Sequence, residues 1–477
     1  MPSNSVARGT AILIASGVLN RAVGFAVRIV LVRIMGPEGI GIFSRVSSIY
    51  LFVLSLASAG IPAAVTRLSA VELGRNRPER AARVATISLI VTAVTGGLAT
   101  VTFIVAAPRI SSGFLGDPRT CLTVLSIAPA LFIVSVASVG RGFLTAHQRM
   151  GAIAVSQVAE RIVSGIVNIV LVRGLISYGI EYAVAGLALG TVAGEVAGLV
   201  VILPAWRGLR HGHELLGAGK VRAPGGGGTS RGILKDLAGI AVPVAGARAI
   251  GAFSQGLTAV IIPRRLLAAG FDMRAATALY GNFQGISTAV VFFPTIFTFS
   301  LGSNLVPALS RARAARSWAY IRCRVMDSIA ITILLGVFST VFLFTTARIL
   351  CGSLFKSPEA TPILVALGTG AIMIYLRTIS GSILHGLGLI AASTRNFVTG
   401  TAVSLAFTYW LTGVPCLNIY GAVIGVILGN AVNALLNLTA ASRHLGRLPG
   451  AVHVSLLLSF RRMVQEFART WRTKFYM

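Results

Sequence analysis

Arg21 and Arg28 stand seven residues apart inside the first long apolar stretch of the chain, which puts both guanidinium groups on nearly one face of a helix. Asn20 lies beside them, and Arg33 closes the stretch. A guanidinium stays charged and presents a planar fork of donors, so such a face suits bidentate recognition of a phosphate or pyrophosphate. Arg248, in the middle of a later apolar stretch, offers an equivalent group. An ionisable side chain at mid-bilayer costs about 2.5–3.5 kcal/mol on insertion scales, so each one retained there is expected to meet a cavity or a partner. Snorkelling to a headgroup accounts for Arg33 and competes for Arg28, but Arg21 lies near mid-span. Arg45 and Arg377 are weaker candidates, expected near span ends or paired within a lobe.

Acidic groups are few. Glu195 stands alone in a Gly-rich apolar run, either as the buried partner of an arginine or as the carrier of a coupling ion or proton. Glu160-Arg161 and Asp327 are expected to form ion pairs within their lobe or interface groups, and His385 to be a hydrogen-bonded interfacial histidine. No HExxH, GxSxG or Walker A sequence is present, so there is no catalytic residue to name and no nucleotide site to expect. Cys121, Cys323, Cys351 and Cys416 are scattered without a CxxC pair, which points to neither a metal site nor a disulfide framework. No cofactor is expected.

The elements that must position these residues follow from composition. Of 477 residues, 55% are hydrophobic and 12% charged, and the mean hydropathy is +0.83. That excludes a soluble globular enzyme. Apolar runs of about 20 residues recur from end to end, the mark of an all-α, polytopic integral membrane protein, whereas an outer-membrane barrel would alternate at period two. The expected spans are 10–34, 40–65, 82–107, 120–144, 152–172 and 182–204, then 237–262, 279–308, 321–347, 361–385, 396–414 and 418–441. Those twelve helices divide into an N-terminal six-helix lobe (1–205), a flexible basic linker (206–236) with the run Gly225–Gly228, a C-terminal six-helix lobe (237–441) and a basic amphipathic tail (442–477). The first stretch outruns a signal-peptide core and reads as a retained span.

The net charge of +29, from 42 Lys and Arg against 13 Asp and Glu, would suggest nucleic acid in a soluble protein. Here most basic residues fall in the loops that share a side with the N-terminus, so the positive-inside rule explains the excess and puts both termini in the cytoplasm. No nucleic-acid partner is expected.

The halves repeat. Asp117-Pro118 matches Ser357-Pro358 at an offset of 240, and Ala183–Gly186 matches Ala422–Gly425 at 239. Leu189-Gly190 matches Leu428-Gly429, again at 239, and Ile61-Pro62 with Arg67 matches Val306-Pro307 with Arg311. Six helices used twice in one orientation suit two lobes around a central cavity that opens alternately to each side. Arg248 would then lie on the repeat counterpart of the helix that carries Arg21.

Residues Arg8 to Thr10, Asn20 to Phe25, Arg28 to Val30 and Gly36 to Gly41 resemble the stage V sporulation protein B group. That group belongs to the polysaccharide-transporter branch of the multidrug/oligosaccharidyl-lipid/polysaccharide exporter superfamily. Ile262 to Leu266, Leu279 to Gly281, Phe292 to Pro294 and Leu305 to Ser310 extend the likeness over most of the chain. The resemblance implies a two-lobe flippase fold and transfer of an undecaprenyl-pyrophosphate-linked saccharide, a peptidoglycan or polysaccharide precursor, to the outer leaflet of a bacterial cytoplasmic membrane. More distantly the chain is similar to lipid II flippases, in which an Arg precedes a Gly-Phe pair as Arg21 precedes Gly24-Phe25. Their next Arg-Asp pair is Val27-Arg28 here, their second-lobe Asp-Arg motif has no counterpart near Asn282 and Gln284, and Arg311 replaces an acidic residue of the sporulation group. Many relatives have 14 spans.

The expected function is therefore a flippase, not an enzyme, with Asn20, Arg21, Arg28 and Arg248 binding the substrate and Glu195 available for coupling. Its partners are the lipid-linked saccharide and membrane lipids; a monomer is expected. A drug/cation antiporter of the same superfamily would want acidic cavity residues rather than arginines. A membrane glycosyltransferase or polymerase would want catalytic carboxylates and a large outer loop.

Overall fold

A computed structural model of the protein describes residues 3–58, 60–217 and 230–446. The core of the expected basic linker and nearly all of the tail thus lie outside the described residues. Fifteen helices make up the described structure: α1 (Ser3–Ser58), α2 (Ile61–Gly74), α3 (Pro78–Val105), α4 (Cys121–Ala146), α5 (Met150–Leu175), α6 (Ile180–Gly217), α7 (Ser230–Ala268), α8 (Met273–Tyr280), α9 (Thr288–Val291), α10 (Thr295–Ala314), α11 (Trp318–Ile349), α12 (Ala360–Thr369), α13 (Ala371–Gly386), α14 (Ile390–Thr412) and α15 (Ile419–Gly446). There is no strand among the described residues.

Eight helices are long and apolar enough to cross a membrane, and ten if each of two bent pairs is one span. The bent pairs break at Phe292–Pro294, by 51°, and at Gly370, by 48°. The twelve expected segments all fall on helices. The first two share α1, which is interrupted at Gly36, where φ is 68° and ψ −178°. Only glycine adopts that geometry without strain, and Pro37 then opens the second segment with its φ already set. The segment expected at 396–414 is α14. In a membrane every backbone polar group must be satisfied internally, which is why an apolar chain of this length resolves into helices alone.

By contacts the chain forms two units, Met1–Arg264 with Met273–Gly281, and Arg265–Asp272 with Asn282–Met477. Leu237 and Ala241 of α7 share a core with Ile61, Val65, Val139 and Phe143. Val260 joins the cluster of Val46, Tyr50, Phe103 and Leu131. Most of α7 therefore counts with the first unit, and the contact boundary falls later than the repeat boundary at 237. The second unit has its own core of Leu305, Leu309, Ile321, Ile379, Ile383 and Ala434.

The repeat is visible in backbone geometry. Left-handed residues pair off as Asn76 and Arg316, Gly116 and Lys356, Gln148 and Gly388, and Gly179 and Asn418. Asn76 and Arg316 each follow the end of a helix and are spanned by a six-residue bond, Arg77 N–H to the Glu72 carbonyl and Ser317 N–H to the Ala312 carbonyl, both 2.9 Å. Short π-helical turns at Arg109–Phe114 and Leu350–Leu354 lead into matching turns, where Asp117 N–H reaches the Ser111 carbonyl and Ser357 N–H the Cys351 carbonyl at 2.8 Å. The lipid-facing stripes match too: Val94, Leu98 and Val101 of α3 correspond to Leu334, Phe338 and Val341 of α11, all exposed.

One of these pairs carries a prediction. Gly116 and Lys356 occupy the same left-handed position in equivalent turns, with φ of 68° and 53°, and a β-carbon costs about 1 kcal/mol there. Lys356→Gly should raise the thermal midpoint of the detergent-solubilised protein and Gly116→Lys should lower it. Shifts of the same sign for both would contradict the equivalence.

Helix packing in each unit relies on small residues at a spacing of four. A β-carbon on Gly194 of α6 would sit 2.5 Å from Cβ of Ser164 on α5, and Gly190 meets Asn168 in the same way. Gly425 and Gly429 of α15 meet Thr408 and Ser404 of α14. Without a hydrophobic drive between helices in lipid, close backbone approach supplies the dispersion contacts that hold them together.

Candidate functional site

The first unit carries three polar clusters on its spans. The first is the basic face of α1. Arg21, Gly24 and Arg28 are spaced three and four apart and so share one side of the helix. Leu19 and Val30, both exposed, lie on a different side. Arg21 is exposed and Arg28 half-buried. Arg28 makes no ion pair or hydrogen bond among the described residues. Asn20 is half-buried, and its Oδ1 is buried without a hydrogen-bond partner.

This face packs against α5. A β-carbon on Gly24 would lie 3.9 Å from Cδ of Arg161, and one on Gly165 would lie 2.8 Å from Cγ2 of Val27. The two contacts advance together along both helices, so α1 and α5 run in the same direction, as the odd-numbered spans of a six-helix repeat should.

The second cluster joins α4, α5 and α6. Arg141 donates to Oε2 of Glu160 at 2.8 Å and lies 3.5 Å from Oε2 of Glu195. All three side chains are partly buried, and the buried Tyr50 of α1 lies in the electrostatic field of both carboxylates. Two carboxylates thus share one guanidinium. If both are ionised, the cluster holds a net charge of −1, which one proton or one monovalent cation neutralises.

The third cluster joins the later part of α1, the turn before α4, and α8. Arg45 is fully buried, 3.5 Å from Oδ2 of Asp117 and 3.3 Å from Oγ1 of Thr277, and also donates to the Leu115 carbonyl. Arg119 grips Asp117 through Nε and Nη2, each at 3.0 Å, and pairs with Glu38. These acceptors are all protein groups, so the network braces the unit, with Nε of Arg45 buried without a hydrogen-bond partner. The second unit has a neutral version at the equivalent turn, with Ser357 Oγ donating to Asn282 Oδ1 at 3.0 Å.

Other candidates are dispersed. Arg248 is exposed on α7, without an ion pair among the described residues, in the same contact unit as Arg21 and Arg28. Arg377 donates to Asn430 Oδ1 at 3.0 Å and lies over the Phe397 ring. Beside it Asn396, Asn433, Asn437 and Ser380 bond one another in a buried amide network. Asp327 accepts from the Cys323 thiol, and His385 is exposed. Among the described residues no cluster could hold a metal ion.

Glu160 forms the ion pair expected within its lobe, with Arg141 and not with its neighbour in sequence. Adjacent residues on a helix point about 100° apart. Glu160 turns to Arg141, and Arg161 to α1. Reading the sequence missed Arg141 and Tyr50; an arginine inside the expected fourth span, opposite a lone glutamate, was the available signal.

Residues 6–312 match the family model described as polysaccharide biosynthesis protein. The chain belongs to that family. It is 28% identical over 449 residues to stage V sporulation protein B of Bacillus subtilis (strain 168), covering 93% of this chain and 85% of the relative. It is 24% identical over 473 residues to the lipid II flippase MurJ of the same organism, covering 93% and 84%. Among solved structures, the inward-facing conformation of a multidrug resistance MATE family transporter of the MOP superfamily superposes with a TM-score of 0.72 at 15% identity, covering 90% of this chain and 96% of the other. The chain is thus a multi-pass membrane protein of the polysaccharide biosynthesis family with a transporter fold.

Proposed function

We propose that the protein is a flippase that moves an undecaprenyl-pyrophosphate-linked saccharide, lipid II or a related peptidoglycan or polysaccharide precursor, across a bacterial cytoplasmic membrane by alternating access. It acts as a monomer with both termini in the cytoplasm, and it makes and breaks no covalent bond. The observation that carries this reading is the basic face of α1, where Arg28 is half-buried in a span with no carboxylate to neutralise it. A charge kept there without a protein partner suits a transient anionic one. Arg21 and Arg28 grip the pyrophosphate, Asn20 adds a polar contact, and Arg248 supplies a further guanidinium. The name of one bacterial relative, a lipid II flippase, points to the same class of cargo. A cationic cargo is disfavoured because the face it would meet is positive.

Glu195 is the coupling residue in this reading. Its carboxylate shares Arg141 with Glu160 and so can take up and release a proton or cation during the cycle.

Native mass spectrometry with lipid II, against a neutral lipid control, tests the anion site. The wild-type protein should bind lipid II selectively, and Arg21→Ala, Arg28→Ala and Arg248→Ala should each weaken binding by about tenfold or more, the worth of one charge-assisted hydrogen bond. Equal binding by all four proteins would leave the arginines structural and remove the basis of the proposal.

A further inference from the structure

Arg161 is a mid-span basic group on α5 that the ion-pair network does not engage. It lies eleven residues into α5, about 16 Å along the helix from its start at 1.5 Å per residue, too deep for its side chain to escape to a headgroup. Its sequence neighbour Glu160 is taken by Arg141, and no carboxylate lies within ion-pair distance of Arg161 among the described residues. Glu195 interacts with it at longer range.

The direction in which Arg161 projects is equally telling. The lipid-facing stripe of α5 consists of Val155, Ile162, Ile166 and Val170, which are 60%, 44%, 59% and 63% exposed. At 100° per residue, Arg161 lies roughly 120° round the helix from the centre of that stripe, on the side of Gly165 and α1. It is nevertheless exposed, and a guanidinium exposed at this depth and turned away from lipid faces a polar space. Its Cδ lies over Gly24, between Arg21 one turn earlier and Arg28 one turn later on the same face of α1. The absence of a side chain at Gly24 leaves room for it there. Three guanidinium groups thus follow one another along the α1–α5 seam.

We propose that Arg161 is a further anion-binding residue, contributed by α5 to the basic face of α1, and that its ligand is the pyrophosphate of a lipid carrier. The proposal rests on the flippase reading above and adds to it a residue from a second helix. Arg161 would reach the anion from α5, beside Arg21 and Arg28 of α1, so that guanidinium groups of two helices grip the pyrophosphate at their seam. Forked donors from two directions match the several oxygens of a pyrophosphate better than any single guanidinium can.

Native mass spectrometry with undecaprenyl pyrophosphate as the probe and undecaprenol as the control tests this. The wild-type protein should prefer the pyrophosphate lipid, and Arg161→Gln should weaken that binding about tenfold, the loss of one charge-assisted contact, with no change in the thermal midpoint of the lipid-free protein. Arg161→Lys, which keeps the charge but not the fork, should fall between them. Selective wild-type binding that is weakened in Arg28→Gln but unchanged in Arg161→Gln would overturn the role of Arg161 and leave the α1 site intact. No wild-type preference for the pyrophosphate lipid would overturn the flippase site itself, and this proposal with it. Phenylglyoxal labelling of the wild-type protein needs no variant. Protection of Arg161 by undecaprenyl pyrophosphate supports the proposal, and labelling unaffected by the lipid refutes it.

Discussion

Glu195→Gln is expected to abolish the response of lipid flipping to a proton or cation gradient while leaving lipid binding nearly unchanged. In the wild-type protein Glu160 and Glu195 share Arg141, at 2.8 and 3.5 Å. The amide keeps the shape of Glu195 and leaves the Arg141–Glu160 pair whole, but it removes the surplus negative charge that a proton or cation would neutralise. A proton gradient of one pH unit stores about 1.4 kcal/mol per proton, or tenfold in a transport ratio. Proteoliposomes loaded with a fluorescent lipid II analogue would show that tenfold dependence in the wild type and none in Glu195→Gln. A variant that still follows the gradient would reduce the cluster to a structural ion pair. Running the assay with pH and sodium gradients separately identifies the coupling ion, because only the gradient that drives the wild type can lose its effect in the variant.

The largest stability effect should come from Arg45. Its side chain is fully buried and serves Asp117, Thr277 and the Leu115 carbonyl together. Arg45→Met retains much of the volume but strands part of the Asp117 charge and a buried carbonyl, at a cost of about 3 kcal/mol. Arg119 still holds Asp117, which keeps the loss at the lower end for a broken buried pair. Thermal unfolding in detergent should show a clear drop in midpoint, and Arg45→Met combined with Asp117→Asn should recover part of it, because the uncompensated charge is then gone. An unchanged midpoint in the single variant would contradict the bracing role. The second unit makes the same point in its own way: Gly285 and Ser357 stand where the first has Arg45 and Asp117, and there a neutral hydroxyl-to-amide bond is enough.

Much of this was legible in the residues. Apolar run length determines helices wherever lipid offers no hydrogen bonds, so all twelve expected segments are helical. A repeat near 240 residues carries through to the left-handed turn positions because those turns depend on local backbone geometry that the matched residues share. The pairing of Arg45 within its unit was also expected, since a buried arginine requires a partner.

The tertiary structure alone decided who that partner is, and who the others are. Asp117 is 72 residues from Arg45, and Glu195 is 54 from Arg141; nothing local in the chain links them. Glu160 and Arg161 show the limit most plainly. They are adjacent in sequence, but the 100° step between helical neighbours sends one to α4 and α6 and the other to α1. Composition and periodicity determined that this chain is a bundle of membrane helices with arginines it must account for. Which of those arginines are neutralised within the protein depends on helix rotation and packing, and those are properties of the folded bundle alone.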